Sequence, residues 1–283
     1  METWLFFLYT INMKNIEILA PVGSMEVLEA AIQAGCDAIY CALPSFGARA
    51  YANNFTWEQM KEVLARCHSL NIKVHVTMNT LLFEQEIEQA YQQAKRLHEM
   101  GVDALIVQDL GLIHLLHERL PELVVHASTQ LSVTQVEQIE HLKALGVKRV
   151  VLARECSLEQ VKAAVQTGME VEVFVHGAIC ICYSGQCLFS SIEYDRSGNR
   201  GMCAQPCRMP YKLYQDGKPV LENEQYFLSP KDLSLIEQVK ELEELGVCSI
   251  KIEGRMKSRE YVYECVHQVY EVLHGKTLGK KEL

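Results

Sequence analysis

The chain has 283 residues, 49% of them hydrophobic and 22% charged, the make-up of an ordinary globular protein with ample apolar material for one large core. Its formal net charge of −9 speaks against an extensive nucleic-acid footprint made by this chain alone, because phosphate contacts come from Lys and Arg. Eleven cysteines, an odd number with no secretory leader before them, fit a reducing cytoplasm rather than a disulfide framework and leave thiols available as ligands.

From the N-terminus, the apolar segment Trp4 to Ile11 is far shorter than the roughly 20 residues a spanning helix needs and has no basic leader, so neither anchor nor signal is expected. Met13-Lys14 stands immediately before the first strand-like run. Residues 1–12 are therefore expected to form an extension outside the fold, with 13–283 a single domain.

Apolar strand-like runs follow near 16–20, 38–42, 72–77, 103–108, 123–127, 148–153, 170–176 and 248–253. Between them, residues 24–34, 56–70, 84–100, 110–119, 132–145 and 157–167 place apolar side chains at three- and four-residue intervals, as amphipathic helices do. Six junctions carry Gly or Asn, at Gly35, Asn71, Gly101, Gly146, Gly168 and Gly246, residues that best tolerate the left-handed conformation ending a helix. Strict alternation predicts a parallel sheet, and eight strands predict an α/β fold of the closed (β/α)8 TIM-barrel type.

Such barrels keep their chemistry at the C-terminal strand ends. The polar residues there are Arg49, Asn79, Gln108, Asp109, His126, Ser128, Gln130, Arg154, Glu155, His176, Glu253 and Arg255. For each one singly, the alternative is a strand end that is polar because it meets solvent. The four basic residues among Lys251 to Glu260 read as a solvated helix start.

The rhythm breaks once, between strands seven and eight, where an insertion of about 177–247 replaces the usual helix and holds five cysteines within 28 residues. Cys180, Cys187, Cys203 and Cys207, with six, fifteen and three residues between them, sit among Gly, Ser, Asn and Pro that let a loop turn its thiolates inward. Clustered thiolates repel one another, and a cation both lowers their pKa values and offsets the repulsion. Zinc ribbons use two tight pairs and only Cys203 with Cys207 comes close, so the spacing favours an iron–sulfur cluster, with zinc and free structural thiols as alternatives. Cys182 is expected to pack, as are Cys36, Cys41, Cys67, Cys156, Cys248 and Cys265 in apolar patterns.

The stretch Glu172-Val173-Phe174-Val175-His176-Gly177-Ala178-Ile179-Cys180 with Gly185-Gln186-Cys187-Leu188-Phe189-Ser190 closely resembles the signature of the peptidase U32, or collagenase-like protease, family. Leu19-Ala20-Pro21-Val22-Gly23, Ala127-Ser128-Thr129-Gln130, Cys203-Ala204-Gln205-Pro206-Cys207-Arg208 and Lys251-Ile252-Glu253-Gly254-Arg255-Met256 extend the resemblance over 16–270. It implies a 4Fe-4S cluster on Cys180, Cys187 and Cys203, with Cys207 as fourth ligand and Cys248 or Cys265 as the later candidates. It also implies oxygen-independent hydroxylation, in one branch prephenate-dependent formation of 5-hydroxyuridine at the wobble position of tRNA. The chain resembles the short kind of member, for which a longer U32 paralogue is the expected partner.

Three functions follow as expectations: assistance in tRNA hydroxylation, a U32-type peptidase, or a non-catalytic partner subunit. No His-Glu-x-x-His helix or Gly-x-Ser-x-Gly elbow occurs, and Gly275-Lys276-Thr277 lacks the first glycine of a phosphate loop, since position 270 is Tyr. A Cys–His protease would have to pair Cys182 or Cys187 with His176. If a small dicarboxylate such as prephenate binds at the mouth, Arg49, Arg154 and Arg255 are the natural clamps, Glu172, Asp109 and Glu253 the proton-transfer candidates, and His126 and His176 the orienting groups. The alternative for the arginines is a salt bridge at the barrel rim.

Overall fold

The computed structural model describes residues 16–49 and 53–276, so the expected extension 1–12 lies outside the described residues. Eight parallel strands form a closed barrel: β1 (Glu17–Pro21), β2 (Ala38–Cys41), β3 (Lys73–Met78), β4 (Ala104–Val107), β5 (Val125–Ala127), β6 (Arg149–Val151), β7 (Glu170–Gly177) and β8 (Ser249–Ile252). Each strand pairs with the next, and β8 pairs with both β7 and β1, which closes the ring.

The helices follow the amphipathic pattern and lie between the strands: α1 (Met25–Gln33), α2 (Trp57–His68), α3 (Ile87–Glu99), α4 (Leu110–Arg119), α5 (Val136–Ala144) and α6 (Leu158–Gln166). Side chains of Ser24, Thr56, Asp109 and Ser157 accept a backbone N–H at the starts of α1, α2, α4 and α6, satisfying donors the helix itself cannot. Two helices begin later than the apolar periodicity predicts. Residues 84–86 form a 3-10 turn before α3, and Ser132, at φ 57, takes a left-handed conformation that stops the chain from entering α5 until Val136.

Two cores result from the strand alternation. Outward-facing Ile18, Ile39, Val74, Val76, Leu105, Val150, Val171 and Ile250 pack with helix residues such as Leu28, Leu64, Leu97, Leu112 and Val262 in the large apolar layer. The inside of the barrel is largely polar. Leu19, Ala38, Tyr40 and Ile106 form a small separate apolar cluster, while Glu17, His75, His126, Arg149, Glu172 and Lys251 are buried charged or polar groups.

Between β7 and β8 the chain makes its excursion. It carries α7 (Phe189–Tyr194), a short ribbon pairing Tyr214–Gln215 with Lys218–Pro219, and a two-residue strand, Leu233–Ser234, antiparallel to the end of β7. The regular pattern resumes at α8 (Val239–Leu245), ahead of β8, and α9 (Arg259–Leu273) packs against α1 and β1. Gly185 anchors the excursion to the barrel: at φ +73, its Cα lies so near the loop after β5 that a Cβ would stand 2.0 Å from the Gln130 carbonyl oxygen.

Candidate active site at the barrel mouth

At the C-terminal end of the strands lies a cavity of about 70 Å³ walled by Tyr40, Thr77, Phe174, Lys251 and the three arginines picked out by strand position. Arg49 Nη2 donates to Glu253 Oε1 at 3.1 Å and Arg154 Nη2 to Glu253 Oε2 at 2.7 Å. Arg154 also stacks on the Phe174 ring, its Cζ 4.0 Å from the centroid. Arg255 is 7% exposed, donates to Thr77 Oγ1 at 3.1 Å, and has no carboxylate within ion-pair distance among the described residues. Burial and then the charge of Arg49 press its pKa below the usual guanidinium value. Burial pushes the Glu253 carboxyl up, but Arg49, Arg154 and Arg255 outweigh it and hold the group at about 2.

The run from Lys251 to Glu260 is not one solvated helix start: Lys251 and Arg255 are buried in the barrel, and the fully exposed stretch begins at Met256. The conformation around Arg255 depends on Gly23, where a Cβ would stand 2.4 Å from the Arg255 carbonyl oxygen.

Below the mouth runs a column of ion pairs. Lys251 Nζ meets Glu172 Oε1 at 2.9 Å, Arg149 Nη1 joins Glu172 Oε2 at 3.2 Å to Glu17 Oε1 at 2.6 Å, and Lys73 Nζ reaches Glu17 Oε2 at 2.8 Å. Burial raises the carboxyls of Glu17 and Glu172, but these cations prevail and hold both at about 2. Glu172, expected as a proton-transfer group, is therefore held as an anion with both oxygens paired beneath the mouth.

His126 lies at the same depth, its ring edge-on to His75 with centroids 4.9 Å apart. Burial lowers the pKa of both, that of His75 to about 4, so the rings are neutral near pH 7. His75, His126 and Glu172 have ligand atoms within 4.8 Å of one another. Both Glu172 oxygens are already taken by Lys251 and Arg149, which leaves no free anionic donor for a cation there.

The other candidates are distributed differently. His176 stacks on Tyr261 at 5.7 Å and faces Asp232 and Lys257, with no cysteine among the charged groups that shift it. Asp109 caps α4 and accepts the Leu82 and Leu112 N–H groups. Asn79 accepts from Ala48 N and donates to Ser128 Oγ, bracing the mouth. The sequence reading passed over Lys251, Tyr40 and Thr77. The signal for Lys251 was a cation between two isoleucines in Ser249–Ile252, where alternation sends it to the face opposite the apolar layer.

The excursion brings four cysteines to the rim. Cys180 lines both the mouth and an adjoining cavity of about 490 Å³ shared with Arg154, Glu155 and Cys182. Burial, with nearby Cys203 and Cys187, raises the Cys180 thiol, against the pull of Arg154 and Arg49. Cys207 is likewise raised by burial and by Cys203 and Cys187, against Arg208. Cys182 lies beside Cys187, its thiol raised by burial and by that neighbour, and borders the outer cavity. The later cysteines point elsewhere: Cys248 donates to Val171 O at the opposite end of the barrel, and Cys265 sits on α9 beside Tyr261.

Beyond burial, Cys180 and Cys207 are each raised by the neighbouring Cys187 and Cys203, so the four thiols stand together as the kind of donor set whose mutual repulsion a cationic centre such as an iron–sulfur group would relieve. Among the described residues no three cysteines bring their sulfurs within 4.8 Å of one another, wider than the roughly 3.8 Å of a zinc tetrahedron with 2.3 Å bonds.

The sequence profile described as Peptidase family U32 matches residues 23–282. A 23S rRNA 5-hydroxycytidine synthase of Escherichia coli (strain K12) is 41% identical over 89% of this chain and 38% of its own length. A tRNA hydroxylation protein of Bacillus subtilis (strain 168) is 37% identical over 92% of this chain and 63% of its own length. The chain thus spans less than two thirds of the length of these relatives. A solved U32 peptidase structure superposes with a TM-score of 0.56 over 84% of this chain and 93% of that one, at 14% identity, which supports the fold. With a profile match spanning nearly all of the described barrel and its cysteine excursion, the chain belongs to Peptidase family U32.

Proposed function

We propose that this chain is an RNA-hydroxylating enzyme or the barrel subunit of one, binding a small dianionic oxygen donor at the mouth beside a 4Fe-4S cluster on Cys180, Cys187, Cys203 and Cys207. The observation that carries the reading is Arg255, a buried guanidinium with no carboxylate partner among the described residues, in a mouth that also holds Arg49, Arg154 and Lys251 against Glu253. Buried charge of one sign is costly until an anion offsets it, and guanidinium forks match carboxylates in two-pronged geometry.

A prephenate-like dicarboxylate satisfies both conditions. Arg49, Arg154 and Arg255 then bind and orient it, Phe174 and Tyr40 give it apolar walls, and Lys251 is held in place by Glu172. The cluster, when bound, supplies electron-transfer chemistry at the wall that Cys180 shares with the mouth. The names of the E. coli and B. subtilis relatives, an rRNA 5-hydroxycytidine synthase and a tRNA hydroxylation protein, support RNA as the substrate class, and within it the proposed reaction is oxygen-independent formation of 5-hydroxyuridine at the tRNA wobble position. A net charge of −9 calls for added positive surface, which a longer U32 paralogue would supply.

The test joins chemistry to phenotype. Protein purified without air is expected to carry iron and sulfide with a broad visible absorption, and RNA from a strain lacking the chain, grown without oxygen, is expected to lose a 5-hydroxypyrimidine. An iron-free protein together with unchanged 5-hydroxypyrimidines in tRNA and 23S rRNA would overturn the reading.

A further inference from the structure

We propose that Glu253 is a built-in stand-in for a ligand carboxylate: in the free protein it occupies the arginine site, and a dicarboxylate binds by displacing it. The inference rests on the reading of the mouth as an anion site.

Three observations carry it. First, Glu253 sits where a ligand carboxylate would, in the cavity wall, giving one oxygen to Arg49 at 3.1 Å and the other to Arg154 at 2.7 Å. Second, it uses those guanidiniums poorly. Each donates to it through Nη2, Arg49 Nη1 being spent on the Ala48 carbonyl, while Arg154 Nε is buried with no hydrogen-bond partner among the described residues. A free carboxylate could take Nε and an Nη of Arg154 together, the stronger two-pronged pairing that the tethered Glu253 does not reach. Third, Arg255 stands beside them with a hydroxyl as its one side-chain partner among the described residues, so a second carboxylate has a cation waiting that Glu253 does not use.

The groups facing Glu253 come from every neighbouring element: Tyr40 on β2, Arg49 after it, Arg154 after β6, Lys251 on β8 and Arg255 beyond it, with the Tyr261 hydroxyl of α9 donating to the Glu253 carbonyl. Glu253 is held ionised chiefly by Arg49 and Arg154. Once a ligand takes those two, the burial they had offset carries the Glu253 carboxyl above the ordinary range, and it accepts a proton from solvent. Binding of a dicarboxylate is therefore coupled to proton uptake, and a monocarboxylate, which cannot replace Glu253 and also reach Arg255, binds weakly.

Calorimetry with oxalate as probe and acetate as the one-carboxylate control tests this at about pH 5.5, where oxalate is a full dianion. Buffers of different ionisation enthalpy give the protons exchanged. Expected are oxalate binding with proton uptake by the unmodified protein, and binding roughly tenfold or more tighter with no uptake by Glu253→Gln, since a charge-assisted pair no longer has to be broken. Oxalate binding without proton uptake, or no tighter to Glu253→Gln, would overturn the stand-in and leave the anion site intact. No oxalate binding by either protein would overturn the anion site and the stand-in with it. Should Glu253→Gln fail to fold, proton uptake by the unmodified protein decides alone.

Discussion

Arg255 is the residue on which the mouth depends most directly. Its guanidinium is buried, is held by Thr77 Oγ1, and has no carboxylate partner among the described residues. Replacing it with Gln keeps a hydrogen-bond donor near Thr77 while removing the charge, so the fold should persist and dicarboxylate affinity should fall by roughly tenfold or more, the effect of losing a charge-assisted contact. Unchanged affinity by calorimetry would assign Arg255 to packing. The cysteines divide in the same way. Cys207 faces Cys203 and Cys187, whereas Cys248 bonds to Val171 O at the far end of the barrel. Iron content of protein purified without air is expected to drop sharply in Cys207→Ser and to hold in Cys248→Ser, and the reverse result would move the fourth ligand.

At the scale of elements, the barrel interior is tied by charge where most α/β barrels use branched apolar layers. Lys251, Glu172, Arg149, Glu17 and Lys73 link β8, β7, β6, β1 and β3 in one column. Its pH dependence has a definite sign. The buried His75 has its pKa lowered from 6.5 to about 4, so the unfolded chain binds its proton first and stability declines as pH falls between those values. Glu17, Glu172 and Glu253 are lowered from 4.5 to about 2, so their contribution is complete above 4.5 and is lost as pH falls through about 2. Thermal midpoints should be flat between about pH 6.5 and 8 and fall in two stages below that window, and a midpoint unchanged down to pH 4 would refute the neutral, buried His75. The strands were legible in the sequence because their outward residues form continuous apolar runs. The column was not, because Glu17, Arg149 and Lys251 each stand alone in a separate strand and meet only when the ring closes. The same closure buries Glu172, the third residue of β7, between Lys251 and Arg149.

Over the whole molecule, the barrel supplies the anion site and the excursion supplies the sulfurs, joined where Gly185 packs onto the Gln130 backbone. The spacing of Cys180, Cys187, Cys203 and Cys207 pointed to a shared centre, but the sequence could not tell which cysteine also bordered the barrel cavity. Cys180 alone among them walls both chambers, while Cys182 touches only the outer one. This wall makes the protein its own footprinting reagent in the metal-free state. An occupant of the inner chamber should shade Cys180 from iodoacetamide while Cys182 reacts at its former rate, so the ratio of the two alkylated peptides in a mass spectrum becomes a gauge of occupancy. Equal slowing of both thiols would mean that the two chambers fill together.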